Sequence, residues 1–455
     1  MGRKAPPLAP TGRKRKGPSF SLLPPSKHRR ILPALAPPTT GWASLSDDIA
    51  RQVAALVLKY DVVDYIAFRG VCSGWRACAP TPRDPTLRTR SLRPVDWIPL
   101  CDGDAVRPDD ACQITFFHCK TARSLRVRLP QLHRHRIIGF TDGLVILLHK
   151  RRTTIHVLHP FTGVVVDFPS LVPVYQQLIR DRNCVLRMTA AVCTSVSSAT
   201  SIAVVAWFLW SPVVLSADAG HPSWQVIHND MDLANTLAFQ GQLYGFLKSS
   251  KQIVQVYPPK PLSPVVARVP RKFGNPFFCD HYLVESHGHM LLVVKSSNLV
   301  GRDVEEWRRY VVVIFKVDVS LSPWKLVPVS SLGDRALFVS MDRCLSVSSR
   351  DLPSISSDSV YLTVSLPNPV VVHSLRSQSF ERPTTLCQVH NVKERIRPSV
   401  RPFTIADHLL TYCNHREWST GLMFHEYYSI PKSFEELWKK IRTQDSEVRI
   451  SRVKD

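Results

Sequence analysis

The sequence predicts a small all-α unit followed by a mostly β domain, built as a divergent β-propeller. Two observations predict it. Between residues 42 and 79 apolar side chains recur at helical spacing. From about Val95 to Leu375 short apolar runs of strand length alternate with turn-like breaks, without amphipathic helices between them. The 455 residues, 44 % of them apolar, suffice for one large domain and one small one.

Residues 1–40 read as a disordered, basic, proline-rich leader. Pro6, Pro7, Pro10, Pro18, Pro24, Pro25, Pro33, Pro37 and Pro38 forbid a continuous helix or central strand. Arg13-Lys14-Arg15-Lys16 fits a nuclear import signal or a solvated tail equally well.

Residues 41–80 form the helical unit. Ser44 or Ser46 can cap a first helix whose opening turn carries Asp47 and Asp48, where carboxylates favour a helix N-terminus. Ile49, Val53, Leu56 and Val57 follow as one apolar stripe, and Asp61 interrupts it. A short helix near Asp64 and Phe68 and another from Cys72 to Cys78 around Trp75 complete the unit. Three helices this short bury little surface alone, so a partner is expected to complete the unit.

The β domain spans residues 95–375. Ile114 to Phe117, Ile137 to Phe140, Leu144 to Leu148, Ile155 to Leu158, Val185 to Val192, Ile202 to Phe208 and Leu243 to Leu247 are strand-length and rich in β-branched or aromatic residues. So are Ile253 to Tyr257, Tyr282 to Val284, Met290 to Val294, Tyr310 to Val317, Ala336 to Val339, Leu345 to Val347, Val360 to Val364 and Val370 to His373. So many short strands fit radial repetition, which leaves only short, protected sheet edges. Segments beginning at Gly143, Gln242 and Gly288 look like starts of successive units, without a strict period. Residues 376–455 read as an irregular tail with a terminal amphipathic helix on Phe434, Leu437, Trp438 and Ile441.

The net charge of +23, from 59 Lys and Arg against 36 Asp and Glu, points to acidic partners, whether protein or nucleic acid. The 11 cysteines show no paired short spacing, so free thiols in a reducing compartment are expected and a structural zinc site is not. No run is long and apolar enough for a membrane span. Catalytic chemistry finds no support: the G-x-S-x-G elbow is absent, and Gly139, Gly143 and Gly163 are spaced as turn glycines, not as a phosphate cradle. Asp109-Asp110 reads as a solvated turn. His133 and His135 among Arg134 and Arg136 read as a basic solvated edge; His281, His287 and His289 lack the companion ligands of a convincing metal site. The expectation is a non-catalytic protein without metal or cofactor.

The helical unit resembles the F-box. The resemblance rests on Trp42, Leu45, Asp47, Asp48, Ile49, Val53, Leu56, Asp61, Val63, Phe68, Arg69, Val71, Cys72, Trp75 and Arg76, and on the run FRGVCSGWR. It implies docking on a Skp-type adaptor, and through it on a cullin–RING ubiquitin ligase. The implied adaptor-binding residues are Leu45, Asp47, Ile49, Val53 and Leu56, with Val71 and Trp75 holding the third helix and completing the surface. Ser46 stands where the family usually has proline, which removes a preset backbone at the helix start. The β domain resembles the plant family called domain of unknown function 295, described as kelch-like. GFTDGLVILLHK, HVLHPFTG, AFQGQLYGFL, HYLVESHGHMLLVVK, VVVIFKVD and SLGDRALFVS carry that likeness, from roughly Trp97 to Tyr361, although His159 replaces the usual asparagine. Together the resemblances imply a plant source, a location in nucleus or cytoplasm, and a substrate-recruiting subunit that brings an unknown protein target to the ligase. The alternatives are a propeller scaffold outside ubiquitin chemistry and a basic nucleic-acid binder.

Overall fold

The computed structural model describes residues 41–42, 45–100, 112–149, 151–174, 188–208, 211–260, 264–273, 279–297, 310–318, 325–341, 343–363, 370–381 and 405–413. The basic leader, Ser44, Asp109-Asp110 and the segment Phe434 to Ile441 lie outside them.

Three helices open the larger unit: α1 (Asp47–Tyr60), α2 (Val62–Gly70) and α3 (Ser73–Cys78). Asp61, which interrupts the stripe in sequence, is the cap of α2: its Oδ1 accepts from the Val63 amide at 2.9 Å. The Cys72 sulfur plays the same part for α3, accepting from the Trp75 amide at 3.4 Å. Ala54, Tyr65, Phe68 and Ala79 form the small core between the helices, with Trp75 stacked on Phe68 at 4.4 Å.

The described residues then hold six antiparallel-dominated sheets. The first is β1 (Trp97–Leu100), β2 (Gln113–His118) and β3 (Ser124–Arg128). The second is β4 (His135–Thr141), β5 (Leu144–His149), β6 (Thr154–Leu158) and β7 (Val165–Ser170); the third is β8 (Met188–Thr194), β9 (Ile202–Phe208), β10 (Val214–Asp218) and β11 (Gln225–His228). The fourth holds β12 (Leu233–Phe239), β13 (Gln242–Leu247), β14 (Gln252–Tyr257) and β15 (Val265–Arg268); the fifth holds β16 (Cys279–Ser286), β17 (His289–Ser297), β18 (Tyr310–Asp318) and β19 (Lys325–Val329). The last, in order β21-β20-β22-β23-β24, comprises β20 (Arg335–Val339), β21 (Cys344–Ser348), β22 (Ser359–Thr363), β23 (Val370–Ser374) and β24 (Ser379–Glu381), with β20 and β22 parallel.

Apolar packing closes these sheets into a ring. Each sheet shares one buried cluster with the next: Ile138 and Ile146 with Val192 and Val204; Ala191 and Val205 with Leu243 and Val254; Phe246 and Ile253 with Leu283 and Leu292. Val284 and Val293 then meet Leu337 and Val360, and Phe338 and Tyr361 meet Ile98 and Phe117. Trp97 and Phe116 return to Ile137 and Val145, completing the circle. The chain is therefore a β-propeller, as the short apolar runs predict, and the packing gives it six blades.

The strands missed in sequence are mainly outer or short ones. β3 (SLRVR) is largely exposed, and β7 and β19 carry Pro169 and Pro328, which mark strands without a full hydrogen-bond ladder. The units that begin at Gly143, Gln242 and Gly288 follow tight two-residue turns. Asp142-Gly143, Gln240-Gly241 and His287-Gly288 all have positive φ at both positions, the geometry that matches strand twist. Gly139 is not a turn residue. It sits inside β4 at a register shift, where a Cβ would lie 2.0 Å from the Ala190 carbonyl oxygen of the next blade.

The ring is sealed by a helix that sequence patterning did not reveal, α4 (Ile405–Cys413). Leu409 and Cys413 are fully buried between the first and last blades, with Ile405, Ala406 and Tyr412 packed beside them. The first sheet has three strands, and α4 packs against its buried strand β1 as well as β20. Replacing Leu409 with Ala is expected to cost about 2–5 kcal/mol and to lower the midpoint of chemical denaturation accordingly.

Candidate functional site

Strand direction assigns every loop to one of two faces. Neighbouring first strands run parallel: Thr141 Oγ1 accepts from the Val192 amide at 3.1 Å, and Asn235 Oδ1 from the Leu283 amide at 2.7 Å. One face therefore carries Asp142-Gly143, residues 195–201, Gln240-Gly241 and His287-Gly288. The other carries His149, residues 151–153, 211–213 and 248–251, and Ser340, Met341 and Arg343.

The helices attach to the first face. Asp61, with its side chain 5 % exposed, accepts from Trp97 Nε1 at 3.0 Å and from Arg123 Nη2 at 2.6 Å, in addition to capping α2. Arg123 also grips Asp64 through two nitrogens, at 2.7 and 3.1 Å, and its guanidinium lies 5.6 Å from the Trp97 ring centroid. His118 packs edge-on against Trp97, and burial holds its pKa below the usual imidazole range, so it adds no second cation beside Arg123. The linker after α3 continues along this face: Arg93 pairs with Asp142 at 3.0 Å, and Arg88 donates to the Ser201 carbonyl at 3.1 Å. The helical unit is thus tied to the first blade through the two ends of one arginine.

On the helices the predicted docking residues separate into two groups. Ala50 and Ala54 face the core; Ile49, Leu56 and Val71 are 49, 58 and 60 % exposed, and Asp47 is exposed. Val53 is half-buried and packs into the three-helix core, as does Trp75, whose Nε1 is buried without a hydrogen-bond partner among the described residues. Leu45 is half-buried immediately before α1. Tyr60, 77 % exposed, extends the Ile49–Leu56 stripe and was missed in sequence, although its offset of eleven from Ile49 places it on the same side of the helix.

The opposite face holds a cleft of about 420 Å³, lined by Pro212, Asp232, Lys248, Lys251, His281 and Met341 among others. His281 donates from Nε2 to the Phe273 carbonyl at 2.9 Å and stacks on Phe246 at 4.2 Å; burial takes its pKa down to about 4. His287 lies in the turn on the other face and His289 is exposed beside Lys316, so the three histidines do not converge. No group of three His, Cys, Asp or Glu among the described residues has metal-binding geometry, and no helix among them is long and apolar enough to cross a membrane. Cys193, Cys279, Cys344 and Cys413 are free thiols, and burial pushes Cys344 up to about 12.

The basic edge around His133 to Arg136 is more than a solvated rim. His135 on β4, His149 at the end of β5 and His156 on β6 form a cluster, with His135 at 4.8 Å from each of the other two rings. Sequence reasoning missed this because the members come from three strands, joined only by the hairpin register that pairs His135 with His149.

Among curated proteins none matches the chain. Solved structures that align with it include a dihydro-heme d1 dehydrogenase NirN in complex with DHE, at 13 % identity and a TM-score of 0.27 over 63 % of this chain; 66 % of that chain is covered, just under two thirds. Another is the hydrazine synthase of Kuenenia stuttgartiensis, at 10 % identity and a TM-score of 0.29, covering 60 % of this chain and 90 % of that one. Likenesses this distant carry no argument. The KIB1-4 β-propeller family does: its sequence pattern matches residues 116–390, which begin in β2 and run past β24. The ring of blades and that match agree, and the chain belongs to the KIB1-4 β-propeller family.

Proposed function

We propose that this propeller serves as the substrate-recruiting subunit of an SCF-type ubiquitin ligase, with α1 docking on a Skp-type adaptor and the propeller holding a protein target. The propeller fold itself supports a protein-interaction scaffold. The observation that carries the finer reading is the uncovered apolar stripe Ile49–Leu56–Tyr60, with Val71 also exposed at the end of α2. A free helix gains nothing by exposing this much apolar surface, so a partner that covers it accounts for it. The subunit performs no bond chemistry; it raises the effective concentration of a target lysine near the conjugating enzyme. The Asp61–Arg123–Trp97 tie supports this, because a recruiter needs its two ends held in fixed orientation.

The test is co-purification of the full chain with a Skp-type adaptor, beside a variant carrying Ile49→Ala and Leu56→Ala. Both side chains are about half exposed, so the variant should fold as the parent does, with an unchanged circular dichroism spectrum. Loss of two anchors at an interface is expected to weaken capture by about a hundredfold or more. Capture that survives both truncations, or a folded parent that takes up no adaptor, would sink the reading.

A further inference from the structure

The two faces of the propeller differ in how their charges are used. On the helix-bearing face, cations and carboxylates are largely paired: Arg93 and Arg90 with Asp142, Lys120 with Asp96, Arg123 with Asp61 and Asp64, and Arg350 with Asp334. On the opposite face, blade two presents Arg134, Arg136, Arg151 and Arg152 around the three histidines, and blade four presents Lys248, Lys251, Arg268, Arg271 and Lys272. Three acids of that face are engaged: Asp167 with His156, Asp232 with the Ser249 amide and hydroxyl, and Asp280 with Lys295.

The histidine cluster is arranged to meet an anion. His149 Nδ1 accepts from the Arg151 and Arg152 amides at 3.1 and 3.0 Å, which leaves its proton on Nε2. Burial, then His156, Arg152, Arg134 and Arg151, hold the His149 pKa below the usual imidazole range, because each of these cations opposes another charge there. An incoming carboxylate or phosphate relieves that repulsion and favours the charged imidazole. Arg134 and Arg152 are exposed beside it.

We propose, resting on the recruiting role above, that the face opposite the helices binds the target through an acidic peptide segment, with the His135–His149–His156 cluster and Arg134, Arg151 and Arg152 as its anion-recognition centre. A peptide fits better than nucleic acid. Single strands need exposed aromatic side chains for stacking, and among the described residues of the propeller no Phe, Tyr or Trp side chain is exposed.

The experiment is fluorescence anisotropy on the full chain with three labelled probes: a glutamate-rich peptide, a phosphoserine peptide and a single-stranded oligonucleotide. The variant Arg134→Glu with Arg152→Glu is compared with Lys325→Glu and Arg376→Glu, which makes the same change in net charge elsewhere on the propeller. Binding of at least one peptide is expected, weakened about tenfold or more by the first pair alone. That binding should tighten as the pH falls through and below the usual imidazole range, because His149, held low when free, takes up its proton beside the bound anion. The better of the two peptides distinguishes carboxylate from phosphate recognition. Equal loss in both variants would reduce the effect to bulk charge and overturn the proposal. So would oligonucleotide binding without peptide binding, or no binding at all. Adaptor capture is read separately, so its failure would strike the ligase role while leaving an acidic-segment site standing.

Discussion

Replacing Gly139 with Ala is expected to lower stability by more than about 3 kcal/mol and to loosen the second blade from the third. The reason is local and steric. The Cβ would stand 2.0 Å from the Ala190 carbonyl oxygen and 3.2 Å from Ile146 Cδ1, and a backbone carbonyl cannot swing aside as a side chain can. Gly139 lies at the register shift of β4, so the two backbones approach there because no side chain separates them. The blades would have to part across a cluster that includes Ile138, Ile146, Val192 and Val204. Chemical denaturation of the full chain checks this, with Gly163→Ala as the comparison. Gly163, unlike Gly139, has positive φ but open space around it, so it should cost only the backbone strain of about 1–2 kcal/mol. Equal losses at the two positions would refute the steric account.

Asp61→Ala is the second large effect, expected at roughly 3–5 kcal/mol. Three interactions end together: the α2 cap, the acceptor for the buried Trp97 indole, and half of the Arg123 grip. Arg123 is partly exposed and retains Asp64, so its share is discounted for solvent. Most of the loss comes from the orphaned indole N–H and the uncapped helix. Asp61→Asn keeps an oxygen for both and should lose about half as much. The consequence for function is orientation. With the tie cut, limited proteolysis should find the segment between α3 and β1 more open, while the propeller's own unfolding transition stays in place. An Asp61→Ala chain as resistant to cleavage as the parent would show that the tie does not hold the helices.

The Ile49 and Leu56 test and the Asp61 test separate two ways to lose recruitment. The first removes the docking surface and leaves the tie intact. The second leaves the surface and frees its orientation, so adaptor capture should persist while the chain's rigidity falls. A ligase subunit needs both.

Much of the fold was legible because it follows from local pattern. Apolar runs such as Leu144 to Leu148 and Met290 to Val294 are strands since both their faces are buried between blades. Two-residue turns after β4, β12 and β16 lie where a glycine stands one or two residues before an apolar run. On α1, the exposed Ile49 and Leu56 follow from helical periodicity, whereas the inward turn of Val53 depends on where α2 and α3 pack.

What the sequence by itself determined is therefore the succession of elements: a short helical unit with an apolar stripe, then many short strands that fit a repeated, ring-like sheet architecture better than a sandwich or barrel. Only the tertiary structure decided that α4 seals the first blade to the last, that Asp61 anchors helices to propeller through Arg123 and Trp97, and that His135, His149 and His156 share one basic face. These contacts join residues from different elements, some of them far apart along the chain. Spacing along one strand or helix encodes which side chains share its face, but not which distant face will be packed against it.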